Sequence, residues 1–401
     1  MILNDIKSSY ILARKYVERC CIKVVQNGVE VQAFTECEGK MRVTDWGGTS
    51  SAIYLLNQIG DSGTMDIKEK LRKSSAWLLS NQASEGSWEA AEMQCCEATS
   101  AVLYDLNKTA LLDSIKLDQA IKFIQSCFKE NSYFLSRPNV QKRPHIYTTY
   151  LAVRALNVTK HDSFTQVQKQ QVINWIKSAQ SADEKWGPTP QCIEGDVAHT
   201  VFAILTLYYC GVSIKEIKKT FRTQIKWLRK QITVCATING AFSYEATEAY
   251  VDLKADEHGE GAYILKSYHF NTALLCELFL KIEKMDVVQR IIKKLIVLRG
   301  QQEGWGITTD NKIFVWATQQ AIDCMYEFEK KVFRNGDSIL GRLKSIIYSV
   351  PYFIIKFLVI IVLLPIIHWL CKDAQKGADI ILGIIMLIIP WLIQRSDCSF
   401  L

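Results

Sequence analysis

The sequence is short of glycine and proline, 20 and 7 in 401 residues, and has no C-x-x-C pair among its 13 cysteines. Few turn formers beside 49% apolar residues make a helix-leaning composition with ample material for a core. An odd cysteine count in so long and apolar a chain excludes a disulfide scaffold. Cys210, Cys276 and Cys324 instead sit among helical apolar residues as small hydrophobes, which suits a reducing compartment. There is no basic block either. The formal charge of +7 is spread along the chain, and Lys215, Lys218 and Lys219 read as a solvated helix face, so no nucleic-acid partner is expected. A Gly-rich phosphate loop, a nucleophile elbow, an H-E-x-x-H run and paired zinc cysteines are all missing, which leaves hydrolase, kinase and nuclease chemistry without residues. The start, Met1-Ile2-Leu3-Asn4-Asp5, runs into an amphipathic stretch without the apolar core of a signal peptide.

Long apolar runs are present, but only near the C-terminal end. Ile346 to Leu370 is broken by Lys356, Pro351 and Pro365, and a second run extends from Ala378 to Ile393. The first exceeds the roughly 20 residues that span a bilayer, and the second is near the lower limit. Trp369 and Trp391 lie near their ends, as interfacial anchors do. A membrane-embedded hairpin over 345–394 is therefore expected, with the bilayer as a partner. Arg334, Arg342 and Lys344 precede the first run, which puts the large N-terminal domain in the cytoplasm. The last four residues, Cys398-Ser399-Phe400-Leu401, fit a prenylation box, a match that four residues reach easily by chance.

The rest of the chain repeats. Thr49, Thr99, Thr149, Thr200, Thr272 and Thr318 are spaced by 50, 50, 51, 72 and 46 residues. Three positions after each stand Ala52, Val102, Ala152, Ala203, Leu275 and Ala321; seven after stand Leu56, Leu106, Leu156, Leu207, Phe279 and Met325. Offsets of three and seven share one helical face. Between these helices lie others that close in an aromatic turn: Trp77 to Gln82 and Gly86-Ser87-Trp88; Trp175 to Gln180 and Trp186-Gly187; Trp227 to Gln231 and Gly240-Ala241-Phe242; Leu295 to Gln302 and Gly304-Trp305-Gly306. Glutamine can bond the groups left open at a helix end, glycine permits the turn, and the ring stacks beneath.

Gln82, Gly86 and Trp88 resemble the QW motif of squalene–hopene and oxidosqualene cyclases, and the likeness covers roughly residues 40–325. That family and the β subunits of protein prenyltransferases share an α/α toroid of six inner and six outer helices. The resemblance implies an all-α fold: an N-terminal helical segment (1–39) packed on a toroid (40–335) of about six helical-hairpin repeats, followed by the two-helix transmembrane hairpin. The long interval before Thr272 implies an insertion near Tyr250–Tyr263.

If the threonines mark inner helices, the residues just before them line one mouth of the cavity. Four before each stand Asp45, Cys95, His145, Asp196, Tyr268 and Phe314; neighbours add Trp46, Cys96, Tyr147, His199, His269 and Trp316. Asp45, Trp46, Cys95, His145, Tyr147, Tyr268 and Trp316 are the candidate substrate contacts. The resembling cyclases protonate an alkene with the middle Asp of D-x-D-D-T-A. Aligned on Thr200, this chain reads Asp196-Val197-Ala198-His199-Thr200, with alanine at the acid's place. A frame shifted so that Asp196 is the acid breaks the threonine spacing. The resemblance makes Asp196, His199 and His269 the candidate catalytic group, with Asp196 as carrier of the activity and His199 orienting it or taking a proton. No cofactor is expected, and zinc on those three residues is the lesser alternative. Plain helix capping competes at Asp196 and Asp45. Two functions stay open: a membrane-anchored isoprenoid cyclase or prenyl-handling transferase holding a lipophilic small molecule, and a non-catalytic toroid that binds a ligand or protein partner and acts on its membrane hairpin, as a bacterial defence or signalling effector would.

Overall fold

The computed structural model describes residues 2–334 except 27, 39–45, 61–64, 89–94, 112–113, 130–131, 137–143, 160–163, 191, 238, 251–261 and 308–311. The membrane hairpin, the terminal cysteine box and Asp45 lie outside the described residues. Among those described, no helix is long and apolar enough to cross a membrane. The chain divides into two compact units, Asn4–Phe328 and a second of Met1–Leu3 with Glu329–Leu401; all that follows concerns the first.

Helix α1 (Ile2–Arg19) leads into an antiparallel pair, β1 (Cys21–Gln26) and β2 (Val29–Phe34). Helices then alternate: α2 (Trp46–Ile59), α3 (Met65–Ser80), α4 (Cys95–Thr109), α5 (Ser114–Ser126), α6 (Ile146–Val158), α7 (Gln166–Ser178) and α8 (Val197–Tyr209). A short α9 (Ile214–Thr220) precedes α10 (Arg222–Cys235), and a hairpin of β3 (Phe242–Tyr250) and β4 (Ala262–Phe270) precedes α11 (Asn271–Lys281). Next come α12 (Met285–Arg299), β5 (Gly306–Ile307), β6 (Lys312–Ile313) and α13 (Val315–Glu329). The all-α expectation needs correcting at the strands. The interval before α11 is a nine-residue ladder running from Phe242↔Phe270 to Tyr250↔Ala262, longer than the insertion expected at Tyr250–Tyr263.

Every marked threonine sits on one of α2, α4, α6, α8, α11 and α13, and its hydroxyl ties that helix to the segment outside it. Five accept the backbone N–H of an apolar aromatic residue: Phe34 on Thr49 at 2.9 Å, Trp88 on Thr99 at 2.9 Å, Phe134 on Thr149 at 3.2 Å, Trp186 on Thr200 at 3.3 Å and Trp305 on Thr318 at 3.1 Å. Thr272 donates instead to the Cys235 carbonyl. The indoles complete the seam by donating to the preceding outer helix, Trp88 to Leu78 O at 2.9 Å, Trp186 to Ile176 O at 2.7 Å and Trp305 to Leu295 O at 2.8 Å. Each thus buries a large ring with its one polar atom satisfied. Gln82 bonds Gly86 O and Lys116 O, and Gln180 bonds Glu184 O, closing the turns. Gly86 is required twice over, by a φ of +97° and by the Gln119 carbonyl 2.2 Å from where a Cβ would stand.

The face carrying the threonines is the outward one, and the residues three and seven positions on are buried throughout, Ala52, Val102, Ala152, Leu56, Leu106 and Leu207 among them. The ring of inner helices closes through its last member. From α13, Asp323 accepts from Tyr54 OH at 2.6 Å and Gln58 Nε2 at 2.8 Å on α2, while Cys324 bonds Ala273 O on α11. The first and last repeats are therefore stitched together, as a toroid demands.

Candidate functional site

Helical geometry sorts the inward residues. At 3.6 residues per turn, positions two before and five after a threonine lie roughly 140–160° round from it and face the interior, whereas four before lies only about 40° away, at the helix start. The inward level two before the threonines is Gly47, Glu97, Tyr147, Ala198 and Trp316, while the corresponding Phe270 precedes its helix and stacks on Phe242 at 4.4 Å. About 10 Å deeper along the helices, five after, stand Tyr54, Tyr104, Arg154, Leu205, Glu277 and Asp323.

At the upper level the structure brings together three of the expected histidines. Asp196 is the N-cap of α8; its Oδ1 accepts the His199 N–H at 2.8 Å and its Oδ2 meets His199 Nδ1 at 2.7 Å. His199, almost wholly buried, stands edge-on to His145 and His269 with ring centroids 5.9 and 5.3 Å away. Tyr147 lies 4.8 Å from His269 and 5.0 Å from Phe202, which closes an aromatic cluster with His269 at 5.1 Å. His269 arrives on a strand, not on a helix as its place before Thr272 suggested, because β4 runs to Phe270. Strand alternation sends its neighbour Tyr268 to the opposite face, exposed and packed on Tyr244 at 4.9 Å, apart from the cluster. Trp46 turns outward onto Trp77 at 4.8 Å, and His145 caps α6 without a side-chain bond to its amides. Trp316 stays inward, 6.1 Å from Phe242. Cys95 opens α4 but its side chain, like Asp45, lies outside the described residues.

Electrostatics set Asp196 against the acid role. Partial burial pushes its carboxyl up, but the charge and hydrogen bonds of His199, with a smaller contribution from His269, outweigh that and hold it below the usual carboxylate range. It is an acceptor, and His199 Nδ1 is its donor. Nor do Asp196, His199 and His269 fit zinc. Asp196 and His199 are bonded to each other instead of converging on a common point, and Ala198 offers no thiolate. Among the described residues no group of three or more His, Cys, Asp or Glu is placed to hold a metal ion.

Sequence reasoning missed the carboxyl that does point inward. Glu97 is buried on α4, two residues before its seam threonine Thr99. Its Oε1 accepts the hydroxyls of Ser136 and Thr148, and its Oε2 is buried with no hydrogen-bond partner among the described residues. Also unforeseen was the deeper level. Arg154 stacks over the Tyr104 ring at 4.2 Å and the Tyr150 ring at 5.2 Å, and bonds Tyr150 OH at 3.2 Å. Glu277 accepts from Tyr150 at 3.1 Å and Tyr209 at 2.9 Å. Asp105 accepts from Ser50 Oγ at 2.9 Å, and burial pushes its carboxyl up to about 7 against the pull of Arg154. Counting from the threonines would have found both levels, since each is a constant offset from them.

Residues 13–129 and 89–252 match the model of the prenyltransferase alpha-alpha toroid domain. No curated protein matches the chain. Among solved structures, a variant of the type II terpene cyclase MstE from Scytonema, in complex with its substrate geranylgeranyl dihydroxybenzoate, is 12% identical, with a TM-score of 0.49 over 82% of this chain and 98% of that one. A second MstE variant, with its product merosterolic acid A, is 12% identical, with a TM-score of 0.47 over 81% and 97%. A protein described as a novel alpha-amylase from Clostridium perfringens reaches 0.47 at 11% identity, over 80% of this chain and 97% of its own.

Proposed function

The chain belongs to the prenyltransferase alpha-alpha toroid domain family, and we propose that its toroid takes up an isoprenoid chain at the aromatic level and cyclises it by proton donation from Glu97. One observation carries this reading: a buried carboxyl, with one oxygen tied down and the other without a hydrogen-bond partner among the described residues, stands at the same inward level as Tyr147 and Trp316. Oε2 has no hydrogen-bond partner among the described residues, so it is left to a ligand. The apolar runs at 346–370 and 378–393 support a membrane-anchored protein fed from the bilayer.

In the proposed reaction the Oε2 proton moves to the less substituted carbon of a terminal double bond. The π pair forms the C–H bond, a tertiary cation remains, and Glu97 becomes a carboxylate. The next double bond closes a ring, and the faces of Tyr147, Phe202 and Trp316 stabilise the travelling charge. Loss of a proton to the His199 imidazole ends the reaction, and return of that proton through solvent restores Glu97. Asp196, accepting from Nδ1–H, holds His199 in the tautomer whose other nitrogen takes a proton. His199 thereby keeps the proton-taking role expected of it, and Asp196 becomes the residue that orients it.

The test is to incubate full-length protein in mild detergent with farnesol and geranylgeraniol and analyse the products by gas chromatography and mass spectrometry. Cyclic isomers of unchanged mass should form, and Glu97→Gln should abolish them while still retaining the substrate. If unaltered protein retains a prenyl chain and returns it unchanged, the toroid binds without catalysis. If it retains none, the isoprenoid reading is lost.

A further inference from the structure

A second zone lies below the aromatic level, and it is not apolar. Arg154, Glu277 and Asp323 are only partly buried although they sit on inner helices, so they border the interior and are not sealed within it. The network they form leaves polar atoms over. Tyr54 and Gln58 satisfy one oxygen of Asp323, but Gln58 Oε1, Gln320 Oε1 and Arg154 Nε are buried with no partner among the described residues. Gln320 stands two positions after Thr318 and faces the same interior. Buried polar atoms are nearly always paired, so leftovers of both kinds flanking the Tyr54–Tyr104 pair, whose ring centroids lie 6.2 Å apart, mark a group that the protein alone does not supply.

Resting on the isoprenoid reading, we infer that this deeper zone holds the head group of the ligand, and that the head is an uncharged hydroxyl and not a diphosphate. A hydroxyl is the smallest group that meets both needs. It donates to the Gln58 or Gln320 oxygen and accepts from Arg154 Nε. The charge balance points the same way. The Arg154 guanidinium acts on Asp105 and Glu277, Asp323 acts on Asp105 and on Tyr104 beside them, and the guanidinium plane is already covered by Tyr104 and Tyr150. A diphosphate would meet three carboxyl groups with one committed arginine, which like-charge repulsion in a poorly solvated interior forbids. A hydrocarbon would leave the polar atoms bare. The toroid thus selects its substrate by two zones, rings for the chain and the mixed belt for the head.

Three farnesyl probes of equal chain test the inference on the full chain in detergent: farnesol, the hydrocarbon farnesene and farnesyl diphosphate, each titrated by competition. Farnesol should bind about tenfold tighter than either of the others, the worth of one well-made buried hydrogen-bond pair. In Glu277→Gln/Asp323→Asn the diphosphate should gain on farnesol by a similar factor. Equal binding of the three probes, or a preference for the diphosphate, overturns the assignment of the head group and leaves the isoprenoid reading standing. Failure of all three, the hydrocarbon included, overturns that reading and this inference with it. Should the double variant not fold, the ranking on the unaltered chain still decides.

Discussion

Each inner helix of the toroid has two faces built on opposite principles. The outward face repeats one device, a threonine hydroxyl meeting the backbone of an aromatic or helical segment in the outer layer. The inward face repeats nothing. At one level it offers a glycine, a glutamate, a tyrosine, an alanine and a tryptophan, and among the described residues it leaves Glu97 Oε2 and Arg154 Nε unpaired. Stability and function are thus divided by the helix axis. The outer seam is repetitive and interchangeable; the inner surface is individual.

That division is open to attack from the seam first. Trp88→Ala removes a fully buried indole and its bond to Leu78 O, and should cost roughly 3–5 kcal/mol in chemical denaturation. A loss below about 1 kcal/mol would show the seam to be decoration. On the inner face, Glu97→Gln keeps the volume and leaves an amide near Ser136 and Thr148. Cyclisation should fall by ~100-fold or more, with the melting temperature little changed. A large drop in melting temperature at unchanged turnover would move Glu97 to the structural side of the comparison.

Thr99→Val strips a single bond from the seam and leaves the Trp88 N–H buried and unpaired, for an expected cost of about 1–3 kcal/mol. The inner belt should answer to pH where the seam does not. Asp105 titrates near 7 in the folded protein against 3.8 for the free group, so the native state holds the extra proton between those values. Its contribution is fully present below about 4 and is lost as pH rises towards 7. Melting temperatures across that window should therefore decline with rising pH, and the slope should flatten in Asp105→Asn. Smallest of all is Tyr268→Ala, on the exposed face of the hairpin, expected to lie within about 0.5 kcal/mol and to leave ligand binding unaltered.

The outward half of this design was readable because it recurs. Six threonines with small and large residues three and seven positions on describe one packing problem solved six times, and the turns at Trp88, Trp186 and Trp305 share a spelling. The inward half uses the same helices and the same count, yet the chemistry changes from repeat to repeat, so no pattern announces it. Counting four residues back from each threonine led to helix starts, where His145 and Asp196 stand as caps; counting two back reaches Glu97. The hairpin before α11 went unread as strands because its length was taken for a loop, and it alone delivers His269 to the cluster.

The sequence by itself therefore determined the number of repeats, the face each helix buries and the aromatic turns between them, because periodicity and turn chemistry are local properties that adjacent residues express. Which side chains meet across the interior was left to the tertiary structure. Tyr54 reaches Asp323 from the far end of the chain, and Asp196 is held ionised by its bond to a buried His199. A contact between residues 269 apart, and a carboxyl whose charge depends on what surrounds it, have no local signature; they exist only once the ring has closed.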